Sequence, residues 1–144
     1  MRTVLLAAVL AFPVVGAQAG QPDDAAAEAR SYLAVCPFPA GSEAHGGCVA
    51  VAADFVQQYQ SAMAGDAAAQ KNVAVWLMDG GMGLPRNPTQ ACAWALVSVL
   101  SDLAHATGAA IEGVRTWCAP AGDAGWDVAG SRARQILGMI AKNP

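Results

Sequence analysis

The sequence predicts an all-α fold in which antiparallel helical hairpins stack as a short α-solenoid with two disulfides. Alanine-rich apolar segments recur along the chain, and capping residues and glycine or proline turns separate them. Four cysteines, an even number, favour a framework of two disulfides. Because 55% of the 144 residues are hydrophobic and 13% are charged, the chain can bury one compact core, and we expect a single domain.

The first 19 residues have the pattern of a signal peptide. Met1-Arg2 is a short positive region, an apolar run follows from Thr3 to Val15, and Ala17-Gln18-Ala19 fits the small-x-small rule for cleavage. Pro13 interrupts the apolar run, which is short for a hydrocarbon layer of about 30 Å. We therefore expect cleavage after the last of these alanines and a periplasmic or secreted domain over residues 20–144.

Charge and hydropathy argue against two classes of partner. The formal net charge of −3 becomes −4 when residues 1–19 are removed, because they contain Arg2 and no acid. Recognition of nucleic acid normally needs clustered Lys and Arg, so we expect no nucleic-acid partner. No segment after residue 19 reaches the roughly 18 uninterrupted apolar residues of a membrane helix. The nearest, Ala91 to Leu100, contains Ser98, and we expect the domain not to span a membrane.

Helix boundaries at the front of the domain predict the first disulfide. Pro22-Asp23-Asp24 favours a helix from about Ala25 to Cys36, and a Pro- and Gly-rich loop then leads to Cys48. In this interpretation Cys36 ends one helix and Cys48 begins the next, which runs to about Ala64. Because such ends lie side by side in an antiparallel hairpin, we expect a Cys36–Cys48 disulfide.

A third helix and a glycine-rich turn follow. Gly65 ends the second helix, and Asp66 is placed to cap a helix from Ala67 to Met78. The turn runs from Asp79 to Arg86, and its glycines can adopt positive φ at little cost. A phosphate-binding loop is the alternative for Gly80-Gly81-Met82-Gly83. We interpret the segment as a structural turn, because it follows a helix instead of a strand and lacks the Gly-Lys-Ser/Thr signature.

The fourth helix is expected to be the most buried element. Asn87 is placed as its N-cap, Pro88 occupies its first position, and Gln90 is positioned to complete a capping box. The helix is predicted to run to about His105 and is apolar almost all round. A helix of this kind belongs in the interior.

The last third of the chain predicts the second disulfide. Thr107-Gly108 breaks the chain before a helix from about Ala109 to Cys118. Cys92 lies about 14 residues before this break and Cys118 about 11 after it, so at about 1.5 Å per residue they reach a similar level in antiparallel helices. We expect a Cys92–Cys118 bridge. A loop over residues 119–127 and a final helix from about Val128 to Ala141 follow, and the helix has an apolar stripe of Ile136, Leu137 and Ile140.

The middle of the chain resembles the Sel-one-like repeat, a relative of the tetratricopeptide repeat. The resemblance covers Ala64 to about Asp102, and we assign the best repeat to residues 62–102. Its marks are an opening Gly-Asp-Ala, the turn glycines with a following Leu-Pro, and an alanine and a tryptophan on the second helix: Gly65, Asp66, Ala67, Gly80, Gly83, Pro85, Ala91 and Trp94. The resemblance implies a degenerate repeat and a capping helix over residues 103–144, as in short secreted bacterial-type members stapled by disulfides.

Packing roles are expected for small and large residues on the paired helices. Small side chains let such helices approach closely, and indoles fill the spaces between pairs. The residues expected in these roles are Ala67, Ala69, Ala91, Ala95, Trp76 and Trp94.

The sequence contains no recognised catalytic motif, and we predict no catalytic, cofactor-binding or metal-binding residue. His45 with Cys36 and Cys48 could imitate a metal site, but an oxidised pair offers no thiolate, so we interpret His45 as a solvated loop residue. His105 is expected to meet the dipole at the end of its helix. Four acidic residues are expected to be caps or turn residues: Asp66, Asp79, Asp102 and Asp127.

The family resemblance implies an adaptor or scaffold role in assembling complexes. We expect an exported, non-enzymatic protein that binds another protein in the cell envelope or outside the cell. The alternative is an envelope protein that binds or hydrolyses cell-wall-like or β-lactam ligands. Some disulfide-bonded members of the family that the sequence resembles are associated with such ligands. A stability factor without a defined partner is the third hypothesis. A concave pocket with convergent polar groups would favour the ligand binder, and its absence the adaptor.

Overall fold

A computed structural model describes residues 22–142, so the expected signal peptide lies outside the described residues. Within them the regular structure is helical and contains no strand, which confirms the predicted all-α class. The helices are α1 Pro22–Ser31, α2 Glu43–Met63, α3 Ala67–Asp79, α4 Pro88–Leu100, α5 Gly108–Cys118 and α6 Gly122–Ile140, with 3-10 turns at Leu103–His105 and Ala119–Ala121.

The helices form a short stack of hairpins centred on α4. Each helix from α1 to α4 packs against the next one in the chain, and α5 and α6 both pack against α4. Two disulfides, Cys36–Cys48 and Cys92–Cys118, join neighbouring elements, with Cα–Cα distances of 5.9 and 4.7 Å. The predicted stack of antiparallel hairpins and both predicted cysteine pairings are confirmed.

The interior position predicted for α4 is confirmed, but its predicted end is wrong. Residues 91–95 and Val97 are all buried, because α3, α5 and α6 cover different faces of the helix. The helix ends at Leu100 and not near His105. The backbone of Asp102, with φ −131° and ψ 48°, departs from helical geometry, and a 3-10 turn takes up the remaining residues.

Aromatic side chains join α2 to α3 and α4. Tyr59 and Trp94 meet edge to face with ring centroids 5.1 Å apart, and Trp76 stacks on Phe55 at 5.8 Å. Phe55 and Tyr59 also contact each other on α2. Offset and edge-to-face pairs of this kind add to the stabilisation that comes from burial alone. The prediction that Trp76 and Trp94 fill spaces between helix pairs is confirmed.

Three of the four alanines expected at helix contacts are buried. Ala69, Ala91 and Ala95 lie in the core, whereas Ala67 is exposed. Ala67 is the first residue of α3, next to its N-cap Asp66, and therefore lies at the end of the hairpin. The packing role predicted for Ala67 is wrong.

The first disulfide is not formed between two helix ends as predicted. α1 ends at Ser31, and Cys36 lies in the non-helical segment that follows. Pro37 comes directly after Cys36, and a proline disfavours helical backbone at the residue before it. α2 begins at Glu43 because the Ser42 hydroxyl accepts a hydrogen bond from the His45 amide at 3.1 Å. Cys48 is therefore on the second turn of α2 and not at its start.

The loop predicted over residues 119–127 is mostly helical. Residues 119–121 form a 3-10 turn, and α6 begins at Gly122 instead of Val128. Gly125 permits this arrangement, since a Cβ at this position would lie 3.1 Å from Thr89 Oγ1 on α4. The expected apolar stripe of α6 packs against the core and is extended towards the N-terminus by two buried alanines, Ala129 and Ala133.

Candidate functional site

An open groove of about 320 Å³ lies between α3, α4 and α5. Helix α4 forms its floor, and α3 and α5 form its two walls. Its lining consists of Lys71, Ala74 and Val75 from α3, Ala95, Ser98 and Val99 from α4, and Ala110, Gly113, Val114 and Trp117 from α5.

The groove exists because small residues face one another across it. Ala74, Ala95 and Ala110 project no further than Cβ, and Gly113 has no side chain at all. A Cβ placed at Gly113 would have no neighbouring heavy atom within 4 Å, so the space above α5 is open at this point. The two walls both pack on α4 without filling the space between them.

The chemistry of the groove suits an apolar surface better than a polar ligand. Its polar residues are Lys71, which is exposed, and Ser98, whose hydroxyl donates to the Ala95 carbonyl of the same helix at 2.9 Å. Sites for small molecules usually combine an enclosed apolar pocket with a few convergent polar groups. This lining supplies no such set of groups, so it can cover apolar side chains but has little means to orient a polar ligand.

A second, more polar depression of about 400 Å³ lies beside the Cys92–Cys118 disulfide. Trp126, which is 39% exposed, lines it together with Arg115 and Asp123. Both charged side chains lie at the surface, and Arg115 also approaches Glu112 one turn earlier on α5, at 3.9 Å. The depression is therefore an aromatic surface with charges of both signs near it.

The glycine turn between α3 and α4 is held by its own backbone. Gly80, Gly81 and Gly83 have φ values of +68°, +116° and +86°, which only glycine adopts without strain. Gly81 and Leu84 exchange two N–H···O bonds of 2.8 and 2.7 Å, and the Gly80 amide donates to the Trp76 carbonyl at 2.9 Å. These three amides are engaged within the hairpin, which favours the structural interpretation of the turn over a phosphate cradle.

The turn also packs against the first disulfide. The Ala34 amide donates to the Gly83 carbonyl at 2.7 Å, and the Met82 carbonyl oxygen lies 3.3 Å from Cys48 Sγ. A Cβ at Gly83 would lie 2.9 Å from Cys48 Sγ and 3.4 Å from the Ala34 carbonyl oxygen. Gly83 is therefore required both by its φ and by the absence of space for a side chain.

This geometry predicts unequal effects of alanine at two glycines of the turn. We expect Gly83→Ala to lower the free energy of unfolding by roughly 2–3 kcal/mol, because it adds backbone strain and a collision with the disulfide. Gly81→Ala, where a Cβ meets nothing within 4 Å, adds strain alone and should cost about 1–2 kcal/mol. Urea denaturation of both variants measures the difference. Equal losses would show that the disulfide contact contributes nothing.

The residues that carry the sequence resemblance lie at caps, in the glycine turn or in the core. Gly65, with φ +95°, follows the C-cap of α2, and Asp66 caps α3 by accepting from the Ala69 amide at 2.8 Å. Pro85 is exposed at the end of the glycine turn, whereas Ala91 and Trp94 are fully buried. None of the marked residues lines the groove. The sequence reasoning therefore missed the groove, which has no motif, and alanines with a glycine at helical spacing were its only signal.

The capping box predicted at the start of α4 is only half formed. Asn87 Oδ1 accepts from the Gln90 amide at 3.1 Å, so the N-cap is confirmed. The Asn87 amide, however, donates to the Leu77 carbonyl at 2.7 Å, and Gln90 Oε1 accepts from the Tyr32 hydroxyl at 3.2 Å. The Gln90 side chain therefore ties the segment after α1 to α4 instead of closing a box.

The expected roles of the histidines and aspartates are confirmed only in part. His45 is half-buried in the first turn of α2, with Nδ1 3.2 Å from the Phe38 carbonyl oxygen, so its prediction as a solvated loop residue is wrong. His105 ends a 3-10 turn beyond α4. Asp79 ends α3 and Asp102 precedes the 3-10 turn, but Asp127 lies within α6 and is neither a cap nor a turn residue.

Three ionisable side chains that are at least partly buried in the described residues have shifted pKa values. Burial raises the pKa of Tyr59 and, to a smaller extent, that of Tyr32, so both hydroxyls stay protonated near neutral pH. Burial lowers the pKa of Arg132, which forms an ion pair with Glu28 between α6 and α1. Among residues 22–142, no group of three His, Cys, Asp or Glu side chains is placed to hold a metal ion.

The fold and the groove together define a small disulfide-bonded stack of helical hairpins with an open apolar groove. Comparisons with protein-family models, curated proteins and solved structures find no match for this chain. No helix in the described part is both long and apolar enough to cross a bilayer.

Proposed function

We propose that this protein is an exported, non-enzymatic adaptor of the Sel-one-like repeat type, which binds another protein in the cell envelope or outside the cell. The groove between α3, α4 and α5 is the observation that carries the proposal. The two disulfides support an oxidising compartment, because such bonds persist outside the reducing cytosol.

Exposed apolar side chains on the helices that form the groove support the binding of a protein surface. Val75 on the α3 wall is 37% exposed, and Ile111 on α5 and Leu100 at the end of α4 are 54% and 43% exposed. Val75 lines the groove, and Ile111 and Leu100 lie on the helices that form it. Large contiguous patches of exposed apolar surface often mark protein-binding sites. A partner that fills the groove would remove its apolar lining, including Val75, from water, and burial of apolar area drives association.

A second candidate function is ligand binding at the depression beside Trp126. The partly exposed indole, together with the neighbouring Arg115 and Asp123, could contact a polar ligand such as a cell-wall fragment. We rank this function below the adaptor because both charges lie at the surface, where solvent and salt weaken their interactions.

Filling the groove should weaken partner binding without harming the fold. Gly113→Leu places a side chain in open space on α5, in helical backbone that leucine adopts readily. Glycine in a helix interior costs roughly 0.5–1 kcal/mol relative to alanine, so the variant should be at least as stable as wild type. We expect affinity capture from envelope extract, quantified by mass spectrometry, to recover at least about tenfold less partner, a loss of about 1.4 kcal/mol.

Gly138→Leu is the matched control for this experiment. Gly138 lies on α6 and is exposed, and a Cβ added there would likewise meet no heavy atom within 4 Å, but this residue does not line the groove. We expect this variant to capture the same partner as wild type. If Gly113→Leu retains the partner as well as Gly138→Leu does, the groove is not the interface and the proposal fails.

A further inference from the structure

We infer that the groove receives an amphipathic helix of the partner protein, with an acidic side chain beside its apolar face at the Lys71 end. The inference rests on the proposed function and specifies the occupant of the same groove.

The walls of the groove favour a helix over an extended segment. The floor and both walls are α-helices, whose backbone groups are bonded within each helix. An extended peptide in this groove would bury N–H and C=O groups for which the walls offer no backbone partners, and each such loss is costly. A helix satisfies its own backbone and can present apolar side chains alone.

The length and shape of the groove also suit a short helix. From Ala110 to Trp117 the α5 wall spans eight residues, and their seven steps of about 1.5 Å give a length of about 10 Å, or about two helical turns. Gly113 on the α5 wall has open space above it, and a small residue at such a position lets a further helix approach closely. The occupant should therefore present a stripe of apolar residues over two turns.

The charge of the lining sets the orientation of the occupant. Lys71 is the only charged residue among the described residues that line the groove, and it lies near the beginning of α3. The residues beside it at this end are Ser98 and Val99, near the end of α4. The other end of the α5 wall is Trp117, which is apolar along most of its surface.

An occupant that covers Lys71 has to compensate the positive charge of this side chain. Partial removal of an ammonium group from water without a partner is unfavourable, and a second cation beside it would be repelled. A carboxylate at this position offsets the loss. Because Lys71 is exposed, the pair should strengthen binding only about two- to fivefold, but it should fix which end of the helix lies near α3.

The inference can be tested by selection from two displayed peptide libraries. One library fixes a helical apolar stripe at positions i, i+3, i+4 and i+7 and randomises the flanking positions. The other has the same length and carries prolines that force an extended backbone. Both are selected on the mature chain, residues 20–144, and binders that also bind the Gly113→Leu variant are removed. We expect groove-dependent binders from the helical library alone, enriched in Asp or Glu at one end of the stripe.

Exchange of charge tests the contact with Lys71 directly. Replacing the enriched acid by Gln should weaken binding to wild type about two- to fivefold and should leave binding to Lys71→Gln unchanged. Selection on Lys71→Glu should enrich Lys or Arg at the same peptide position. Groove-dependent binders from the extended library, a lack of groove-dependent helical binders, or a lack of charge preference would each overturn the inference.

Failure of the inference can be distinguished from failure of the proposed function. The proposed function depends on capture of a natural partner and its loss in Gly113→Leu, and it does not depend on the libraries. If the libraries fail while that loss is observed, the groove remains the interface and its occupant is not an acidic amphipathic helix. If capture is also insensitive to Gly113→Leu, both proposals are wrong.

Discussion

Replacing Trp94 by alanine is expected to lower the free energy of unfolding by about 3–5 kcal/mol. Trp94 is fully buried on α4, and its indole meets Tyr59 of α2 edge to face at 5.1 Å. Its loss would leave a large cavity between helices that are fixed by other contacts, so the surrounding core can collapse only in part. Urea denaturation followed by circular dichroism gives the change.

Trp126→Ala is the matched control for Trp94→Ala. It removes the same side chain from a position that is 39% exposed on α6, where solvent can fill the space. We expect a loss below about 1 kcal/mol for this control, as for most surface substitutions. If the two variants unfold at the same denaturant concentration, the packing around Trp94 does not stabilise the fold as its burial indicates.

Removing the Cys92–Cys118 disulfide should be the second large effect. The two cysteines are 26 residues apart, and loop entropy assigns such a cross-link about 3.5 kcal/mol. The double variant Cys92→Ala/Cys118→Ala is preferred to serine, because both positions are buried and a serine hydroxyl there would need a partner. Guanidinium unfolding under non-reducing conditions measures the loss.

Removal of the other disulfide provides the comparison. Cys36 and Cys48 are 12 residues apart, so loop entropy alone gives about 3 kcal/mol for this bond. Treatment of wild type with a reductant, which opens both bonds, should lower its stability by at least as much as Cys92→Ala/Cys118→Ala does. A loss under about 1 kcal/mol for the Cys92 and Cys118 replacements would contradict the prediction, because the cross-link would then constrain little of the unfolded chain.

The parts of the fold that could be predicted from sequence are those with local signals. Asp66 and Asn87 are good N-caps whose side chains bond within the next three residues, and the structure has both caps where they were predicted. Both cysteine pairings were also correct, but the predicted geometry was right only for Cys92–Cys118, because Cys36 lies outside the helices and Cys48 is not at the start of α2. The beginning of α6 could not be predicted, since Gly125 suggests a break unless its close approach to Thr89 on α4 is known.

The groove could not be predicted because it depends on missing side chains in three separate helices. Gly113 in isolation is only a weak helix former, and Ala74 and Ala95 resemble any alanines at a helix contact. The distance between α3 and α5 decides whether these residues are covered by a neighbouring helix or open to solvent. A local sequence pattern does not specify this distance. The turn glycines and the N-caps could be recognised because turns and caps require particular residue types.

The contact between the glycine turn and the first disulfide has a thermodynamic consequence. The turn packs on Cys48 only in the folded hairpin, and its Gly83 carbonyl accepts from Ala34, two residues before Cys36. The disulfide and the closed turn stabilise each other. By linkage, both effects are the same free energy. A folded α3–α4 hairpin therefore raises the effective concentration of each thiol for the other. Reductants that open this bond in the folded chain must overcome the packing of a turn some 35 residues further along the sequence as well.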